Sequence, residues 1–334
     1  MAHVPQVGAR ARTLDADEPD PHRREASRGT PWWNPSKPTG ASVIPVRNET
    51  VTANGVEFAL LTEGPASGPL ALCLHGFPDT ARTWRHLLPR LAEAGYRAVA
   101  VFMRGYAPTA VPPGGRFDVG TLARDAEALH DVLGGDGDAV LLGHDWGALA
   151  AYGAAAHQPD RWRRLVTAAV APPAAMAEGL LTYDQLRRSW YLYFFQSPLA
   201  EHAVSVGGHA FIDRLWADWS PAYDGTEDVA RVKESIGDAE HLRAALGYYR
   251  ALFAGPPEDP DAAAALAASS TVPPQPALYL HGTDDGCMGI DAMGPVTDFL
   301  APGSRMVVVD GAGHFAHLEQ PDLVGDAVVT FLTE

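Results

Sequence analysis

The segment Gly-His-Asp-Trp-Gly at residues 143–147 has residue types and a spacing that suit nucleophilic chemistry. Asp145 lies between an apolar run typical of a buried strand and an alanine-rich run typical of a helix. The flanking glycines allow these elements to pack closely around a sharp turn, which would hold Asp145 exposed and strained. A carboxylate is ionised at pH 7, so this one could attack a saturated carbon and form an ester. The motif alone also fits a tight turn with an Asx hydrogen bond, so residues elsewhere must decide.

An ester on a carboxylate must be hydrolysed, which requires a base that activates water and a group that orients the base. His314 follows the last apolar strand next to a glycine, and a histidine with a pKa near 6.5 suits this role. His317 is a rival three residues later, where a helix is expected to begin. Asp284 and Asp285 follow the preceding strand, and both could orient the base. We favour Asp285 because it lies three residues beyond the glycine that ends the strand, and Asp284 stays open.

The loop His-Gly-Phe-Pro-Asp at residues 75–79, after the first long apolar strand, is the candidate oxyanion hole. In a sheet with this nucleophile turn, one backbone N–H comes from that loop and another from the residue after the nucleophile. The pattern therefore assigns the amides of Phe77 and Trp146 to the tetrahedral intermediate. We expect His75 and Pro78 of the same loop to contact the substrate.

Composition excludes several classes of protein. The 334 residues are 46% hydrophobic and 20% charged, as in globular proteins, and the formal net charge of -16 disfavours nucleic acid and anionic membranes as partners. The two cysteines, Cys73 and Cys287, provide neither a disulfide framework nor a metal site. No stretch approaches the roughly 20 apolar residues of a membrane span, and no secretory signal is evident, so the expected location is the cytoplasm.

The alternation of strands and helices predicts an α/β protein with three parts. Residues 1–45 are predicted to be a flexible tail rich in proline and arginine. Residues 46–172 and 271–334 are expected to form a core with a parallel sheet covered on both faces, because apolar strands alternate with helices. The helical, aromatic-rich segment 173–270 is expected to cover the carboxyl ends of the strands as a cap, since such sheets bind ligands at that edge.

Three motifs together resemble the epoxide hydrolase branch of the α/β-hydrolase fold. They are the loop at 75–79, the turn at 143–148 and the segment at 313–321, and the resemblance runs from about residue 50 to the C-terminus. The order nucleophile, acid, histidine is that of the α/β-hydrolase triad. The resemblance implies a mostly parallel eight-stranded sheet with a helical cap, and neither cofactor nor metal. Haloalkane dehalogenases share these motifs, which therefore predict the ester mechanism but not the substrate.

Two aromatic segments of the expected cap favour an epoxide. Opening the ring creates a basic alkoxide, and a phenol can donate a proton to it. Epoxide hydrolases carry one such tyrosine in a Trp-Tyr…Phe-Gln segment and another in a Tyr-Arg segment. The resemblance assigns these roles to Tyr191 and Tyr249, while Tyr193 and Tyr248 are alternatives if the register differs.

The expected substrate is a small apolar epoxide that reacts with water. Trp190 and Phe195 are expected to contact it, and further aromatic residues of the cap suggest an apolar pocket. The chain is expected to be a monomer or a homodimer. Alternatives are a haloalkane or haloacid dehalogenase with the same triad, a non-catalytic ligand-binding protein of this fold, and an interaction role for the tail through Trp32 and Trp33.

Overall fold

The computed structural model describes residues 47–334, so the tail predicted at 1–45 lies outside the described residues. An eight-stranded sheet has the order β1-β2-β4-β3-β5-β6-β7-β8. The strands are β1 Arg47–Ala53, β2 Val56–Glu63, β3 Leu70–Leu74, β4 Arg97–Val101, β5 Val140–His144, β6 Arg164–Ala168, β7 Ala277–Gly282 and β8 Arg305–Val309. The pairs β1–β2 and β2–β4 are antiparallel, and the other five pairs are parallel. The predicted mostly parallel eight-stranded sheet is therefore confirmed.

Helices connect the parallel strands and cover the sheet, as expected for strands that are apolar on both sides. The helices are α1 Leu87–Glu93, α2 Val119–Val132, α3 Trp146–His157, α4 Pro173–Met176, α5 Tyr183–Arg188, α6 Trp190–Phe194, α7 Ala200–Trp219, α8 Thr226–Ser235, α9 Ala239–Ala251, α10 Pro260–Ala268, α11 Ala316–Glu319 and α12 Pro321–Thr333. Short 3-10 helices lie at Ala81–His86, Pro159–Arg161, Gly179–Leu181, Ile290–Ala292 and Val296–Phe299. Within residues 47–334, no helix combines the length and the apolar character needed to cross a membrane.

The helical segment between β6 and β7 divides into two parts. Helices α4 to α9, which we call the helical insertion, lie between the end of β6 and α10. Helix α10 instead packs against α2 and α3, which cover the sheet. The contact with α2 is close, because a Cβ atom on Gly120 would lie 2.0 Å from the carbonyl oxygen of Ala262. We therefore correct the predicted cap boundary of 173–270 and assign α10 to the core.

Helix α7 of the insertion is interrupted and is docked on the core at one end. Its backbone is non-helical at Val206–His209, where the last three residues have φ between 61° and 66°. Beyond the break, the Trp216 ring stacks on Phe315 with 3.7 Å between ring centroids. The Trp216 indole N–H also donates to the carbonyl oxygen of Pro78 at 2.9 Å. The C-terminal half of α7 is thus attached to two loops of the core.

Candidate active site

Asp145 lies at a strained turn between β5 and α3. Its backbone has φ 54° and ψ −117°, a conformation rarely adopted by residues other than glycine, which costs of order 1–3 kcal/mol. The turn requires the two flanking glycines. A Cβ atom on Gly143 would lie 2.2 Å from the carbonyl oxygen of Gly147, and one on Gly147 would lie 2.2 Å from that of Leu74. The sequence therefore forms this turn because no side chain obstructs the approach of strand and helix.

A backbone amide holds one oxygen of the Asp145 carboxylate. The Phe77 N–H donates to Oδ1 at 2.7 Å, and the neighbouring Trp146 N–H lowers the pKa of the same carboxyl. A Cβ atom on Gly76 would lie only 2.1 Å from Oδ1, so the loop can approach this closely only with glycine there. Burial raises the pKa of Asp145 to about 6, although His314 and the two amides act in the opposite direction. The carboxylate therefore remains mostly ionised at pH 7.

His314 connects Asp145 with Asp285. Its Nδ1 lies 3.0 Å from Asp285 Oδ2, and its Nε2 faces Asp145 Oδ2 at 3.8 Å. The N–H groups of Cys287 and Met288 donate to Asp285 Oδ1 at 2.8 Å each, which fixes this carboxylate. Burial disfavours a charged imidazole, but the Asp285 carboxylate outweighs it and raises the pKa of His314. Asp285 thus holds a proton on Nδ1 and turns the ring so that Nε2 faces the nucleophile.

The alternative acid Asp284 and the alternative base His317 do not contact the nucleophile. Asp284 is exposed, and its side chain accepts from the Thr283 hydroxyl at 3.3 Å. His317 is buried, but its Nε2 bonds to the Thr83 hydroxyl at 2.5 Å and not to the nucleophile. The structure thus brings Asp285, and not Asp284, into contact with His314.

Tyr191 and Tyr249 lie together beside the nucleophile. Both are nearly fully buried, with 5.6 Å between their ring centroids. The Tyr249 ring packs edge-on against Phe77 and Trp146, the two residues whose amides are assigned to the oxyanion hole. Burial raises the pKa of both phenols well above 10, and the negative charge of Asp145 acts in the same direction. Both hydroxyls therefore keep their protons at neutral pH and can donate them to hydrogen bonds.

The alternative tyrosines do not belong to this group. The Tyr193 side chain is 52% exposed and packs against Phe253. Tyr248 is buried, but its hydroxyl donates to the carbonyl oxygen of Arg104 at 2.8 Å. Tyr191 and Tyr249, and not Tyr193 and Tyr248, are therefore the tyrosines that lie at the site.

Of the expected substrate contacts, Phe195 lies beside both tyrosines, whereas Trp190 lies beside Tyr191 alone. The Phe195 ring is fully buried, with ring centroids 5.7 Å from Tyr191 and 5.0 Å from Tyr249. Trp190 is 47% exposed and packs on the outer side of the aromatic cluster against Phe211. On a short helix, neighbouring residues point in different directions, so Trp190 turns outward when Tyr191 turns inward.

His75 and Pro78 support the oxyanion loop through hydrogen bonds within the protein. The Met103 N–H donates to His75 Nε2 at 3.0 Å, so Nδ1 carries the proton and donates to the Gly76 carbonyl oxygen at 2.8 Å. Both ring nitrogens are occupied, and burial lowers the pKa of His75 to about 4. The Pro78 carbonyl oxygen accepts from Trp216. We therefore correct the expectation for His75, which orients the loop rather than contacting the substrate.

Cys287 also lies at the site, although its sequence context did not predict it there. Its thiol lies 3.1 Å from the Tyr191 hydroxyl, and its sulfur shares a cluster with Asp145 and His314 in which the polar atoms are within 4.8 Å of one another. The available signal was its position two residues after the acid Asp285. The thiol is therefore a neighbour of both the base and a phenol.

A second buried cluster lies on the other side of the base and was also missed. It consists of Asp79, His144 and His317, whose polar atoms lie within 4.8 Å of one another. The His144 ring is 4.7 Å from that of His314. Burial raises the pKa of Asp79 to about 8 and lowers that of His317 to about 3. These groups are polar, enclosed and separate from the reacting atoms.

The site is closed in this conformation. Asp145, Tyr191 and Tyr249 are all buried. The reacting groups are therefore enclosed by protein rather than open to solvent.

Comparison with known proteins fits this geometry. The family described as alpha/beta hydrolase fold matches residues 69–321. The chain belongs to this family. Epoxide hydrolase A of Mycobacterium tuberculosis (strain ATCC 25618 / H37Rv) is 28% identical to this hydrolase over 322 residues, which cover 85% of this chain and 96% of that protein.

Solved structures give the same result for the fold. Epoxide hydrolase A from Mycobacterium thermoresistibile is 26% identical, with a TM-score of 0.70 and coverage of 86% of this chain and 98% of that one. A haloalkane dehalogenase loop variant, DbeA-M1 from Bradyrhizobium elkanii, is 21% identical, with a TM-score of 0.71 and coverage of 86% and 96%. The resemblance to epoxide hydrolases predicted from the motifs is thus confirmed.

Proposed function

We propose that this hydrolase converts an epoxide to a vicinal diol through an ester on Asp145. The observation that carries the proposal is the arrangement around this carboxylate. The Phe77 amide holds Oδ1, while Oδ2 is directed at the base, and Tyr191 and Tyr249 lie beside it with protonated hydroxyls. The relatives named epoxide hydrolases support the same substrate class.

In the first step, Oδ2 of Asp145 attacks an epoxide carbon, and the C–O bond of the ring breaks. The alkoxide that forms takes a proton from Tyr191 or Tyr249, and the other phenol donates a hydrogen bond to it. Attack by the ionised carboxylate needs no separate base. The reaction leaves a hydroxyalkyl ester and one phenolate.

In the second step, His314 Nε2 takes a proton from water, and the resulting hydroxide attacks Cγ of Asp145. The oxyanion is bound by the amides of Phe77 and Trp146, and the Phe77 amide already donates to Oδ1. The alkoxide that leaves takes the proton from His314, and the remaining proton restores the phenol. Esterification has removed the charge of Asp145 by then, which weakens the field that favours an imidazolium and so frees the base.

The arrangement favours an epoxide over a haloalkane. A dehalogenase needs donors for the leaving halide, and Trp146 is a candidate. Its ring packs edge-on against that of Tyr249, with 5.1 Å between the ring centroids, so this donor lies against a phenol. The helical insertion is proposed to act as the cap that carries both tyrosines and excludes water.

The ester intermediate provides a direct test. We expect His314→Gln to give one burst of styrene oxide consumption without turnover, because ester formation does not use the base. The mass of the protein should rise by that of the substrate, on the peptide that contains Asp145. Asp145→Asn should show neither burst nor mass increase. A single turnover in H₂¹⁸O should place the label on Asp145 of the wild type, since water attacks the carboxyl carbon.

Matched variants separate the proposed roles. Asp285→Asn should slow ester hydrolysis, while the neighbouring exposed Asp284→Asn should not. Tyr191→Phe and Tyr249→Phe should each slow ester formation by about 10²–10⁴-fold, whereas Tyr193→Phe should leave it unchanged. Wild-type activity of Asp145→Asn would refute the mechanism. If the protein releases halide from a bromoalkane but forms no diol from any epoxide, its substrate is a haloalkane and not an epoxide.

A further inference from the structure

The acid that orients the base is held by backbone amides of its own loop. The N–H groups of Cys287 and Met288 donate to Asp285 Oδ1 at 2.8 Å each. The other oxygen, Oδ2, lies 3.0 Å from His314 Nδ1. Because both oxygens belong to one planar carboxylate, the direction of the two amides decides how Oδ2 meets the imidazole. Contacts that fix the loop at 285–289 therefore also orient the base.

A buried glutamine of the helical insertion binds this loop with both ends of its side-chain amide. Gln185 lies in α5 and is 2% exposed. Its Nε2 donates to the carbonyl oxygen of Cys287 at 2.9 Å, and its Oε1 accepts from the Gly289 N–H at 2.9 Å. Nε2 also donates to the Ser189 hydroxyl at 2.8 Å. The amide of Gln185 is thus fully used in holding the loop and its own helix.

The partners also identify the two ends of the amide. A backbone N–H only donates, so the Gln185 atom that meets Gly289 is the oxygen. A backbone carbonyl only accepts, so the atom that meets Cys287 is the nitrogen. The loop therefore presents one acceptor and one donor that a side-chain amide matches as a pair. An apolar side chain of the same size would leave both without a partner.

One peptide group connects Gln185 with the triad acid. The carbonyl of Cys287 and the N–H of Met288 belong to the same peptide unit. Gln185 donates to the oxygen of this unit, and the N–H of the unit donates to Asp285 Oδ1. Hydrogen bonds in such a chain polarise one another, so a donor on the carbonyl strengthens the N–H on the other side. Gln185 thus acts on the carboxylate through the backbone.

Two further contacts from the insertion hold the other end of this loop. Arg188, also of α5, donates from its guanidinium to the carbonyl oxygen of Asp285 at 2.5 Å. The carbonyl oxygen of Trp219, at the end of α7, accepts from the N–H of Gly286 at 3.1 Å and from that of His314 at 3.0 Å. The acid loop and the base are therefore attached to the helical insertion as well as to the sheet.

We propose that Gln185 is a positioning residue for the Asp285–His314 pair. It acts through the Cys287–Met288 peptide, which keeps Asp285 Oδ2 directed at the imidazole. The inference rests on the proposed function, in which His314 activates water in the second step only. Loss of the Gln185 amide should therefore slow ester hydrolysis and leave ester formation on Asp145 unchanged.

The kinetic test compares Gln185→Met with Gln275→Met. Methionine is close to glutamine in size but offers no hydrogen-bond donor. Gln275 is the matched control, because it is 6% exposed and its amide donates to the carbonyl oxygens of Ala155 and Pro159, near the end of α3 that is remote from Asp145. With styrene oxide, both variants should form the ester at the wild-type rate. In Gln185→Met alone, ester hydrolysis should slow by roughly 10–10²-fold, so that protein carrying the ester accumulates and is seen by mass spectrometry.

A second measurement does not depend on activity. The proton on His314 Nδ1, hydrogen-bonded to Asp285, should give a far-downfield ¹H resonance that Asp285→Asn abolishes. We expect this resonance to shift or broaden in Gln185→Met and to match the wild type in Gln275→Met. If Gln185→Met fails to fold, Gln185→Asn decides in the same way, because its amide is one methylene too short to reach both partners.

The outcomes separate this inference from the proposed reaction. An unchanged resonance and unchanged ester hydrolysis in the Gln185 variant would refute the positioning role. Equal changes in Gln275→Met would also refute it, because the effect would then be a general loss of packing. If the protein opens no epoxide, the proposed function fails, while the resonance still decides whether Gln185 positions Asp285 and His314.

Discussion

The carboxylate of Asp145 depends on the absence of side chains around it. Gly143 and Gly147 allow the turn, and Gly76 allows the oxyanion loop to approach Oδ1. The last position affects chemistry more than folding, because a methyl group there would meet the nucleophile itself. Gly76 therefore provides a way to disturb the reacting atoms through the backbone.

We predict that Gly76→Ala strongly reduces ester formation while the protein still folds. The new Cβ would lie 2.1 Å from Oδ1 and 2.4 Å from the Cβ of Asp145, so the carboxylate must leave the Phe77 amide. Losing an oxyanion-hole arrangement typically costs about 10²–10³-fold in rate. Single-turnover kinetics with styrene oxide and circular dichroism would measure both effects. Gly255→Ala is the control, since a Cβ there meets nothing within 4 Å. An unchanged burst in Gly76→Ala would contradict the assigned hole.

The residues that the sequence predicted best are those fixed by backbone constraints. Asp145 lies between glycines two residues away on each side, His314 follows Gly313, and such positions at strand ends leave few alternatives. The expectations for Trp190 and His75 concern the direction of one side chain, which such constraints do not fix. Which member of an aromatic run turns inward depends on neighbours that are distant in the sequence.

At the scale of elements, an ion pair ties the loop after β4 to α2. Arg104 binds both carboxylate oxygens of Asp125 at 2.5 Å, and Asn54 of the β1–β2 turn donates to the same carboxylate at 2.7 Å. Both charged side chains are buried. The carbonyl oxygen of Arg104 accepts from the hydroxyl of Tyr248 in α9, so the helical insertion also contacts this residue.

We predict that Asp125→Ala lowers the free energy of unfolding by about 3–5 kcal/mol, because it leaves the buried Arg104 charge unpaired. Urea unfolding followed by fluorescence would measure this. Asp131→Ala removes a carboxylate that pairs with Arg161 at the surface and should cost at most about 1 kcal/mol. Equal losses of unfolding free energy in the two variants would mean that the buried pair stabilises the fold no more than the surface pair.

Most strands and helices were predictable from the sequence, but the position of helix α10 was not. Strands β3 and β5 are entirely buried, and their uninterrupted apolar sequences indicate this directly. Helix α10 was assigned to the wrong part because its sequence is almost all alanine. Such a helix has no distinct apolar face, so its periodicity cannot show which surface it packs against.

At the scale of the whole molecule, the net charge of -16 acts on the approach of substrates. A negative protein repels anions over roughly a Debye length, about 10 Å at 0.1 M salt. We predict that kcat/KM for an epoxide with a carboxylate group rises with ionic strength, whereas the value for a neutral epoxide of similar size stays constant. Parallel rate measurements between about 0.02 and 0.5 M salt would check this. The same salt dependence for both substrates would mean that long-range charge does not influence entry.

The break in α7 has a consequence for how the enclosed site receives its substrate. The half beyond Val206–His209 is attached to the core through Trp216, and the Trp219 carbonyl oxygen also accepts from His314 N–H. Tyr191 lies before the break, on α6. The helical insertion thus carries an anchor for the His314 backbone beyond the break and one of the two phenols before it. We expect any rearrangement of α7 that admits a substrate to affect both ring opening and ester hydrolysis.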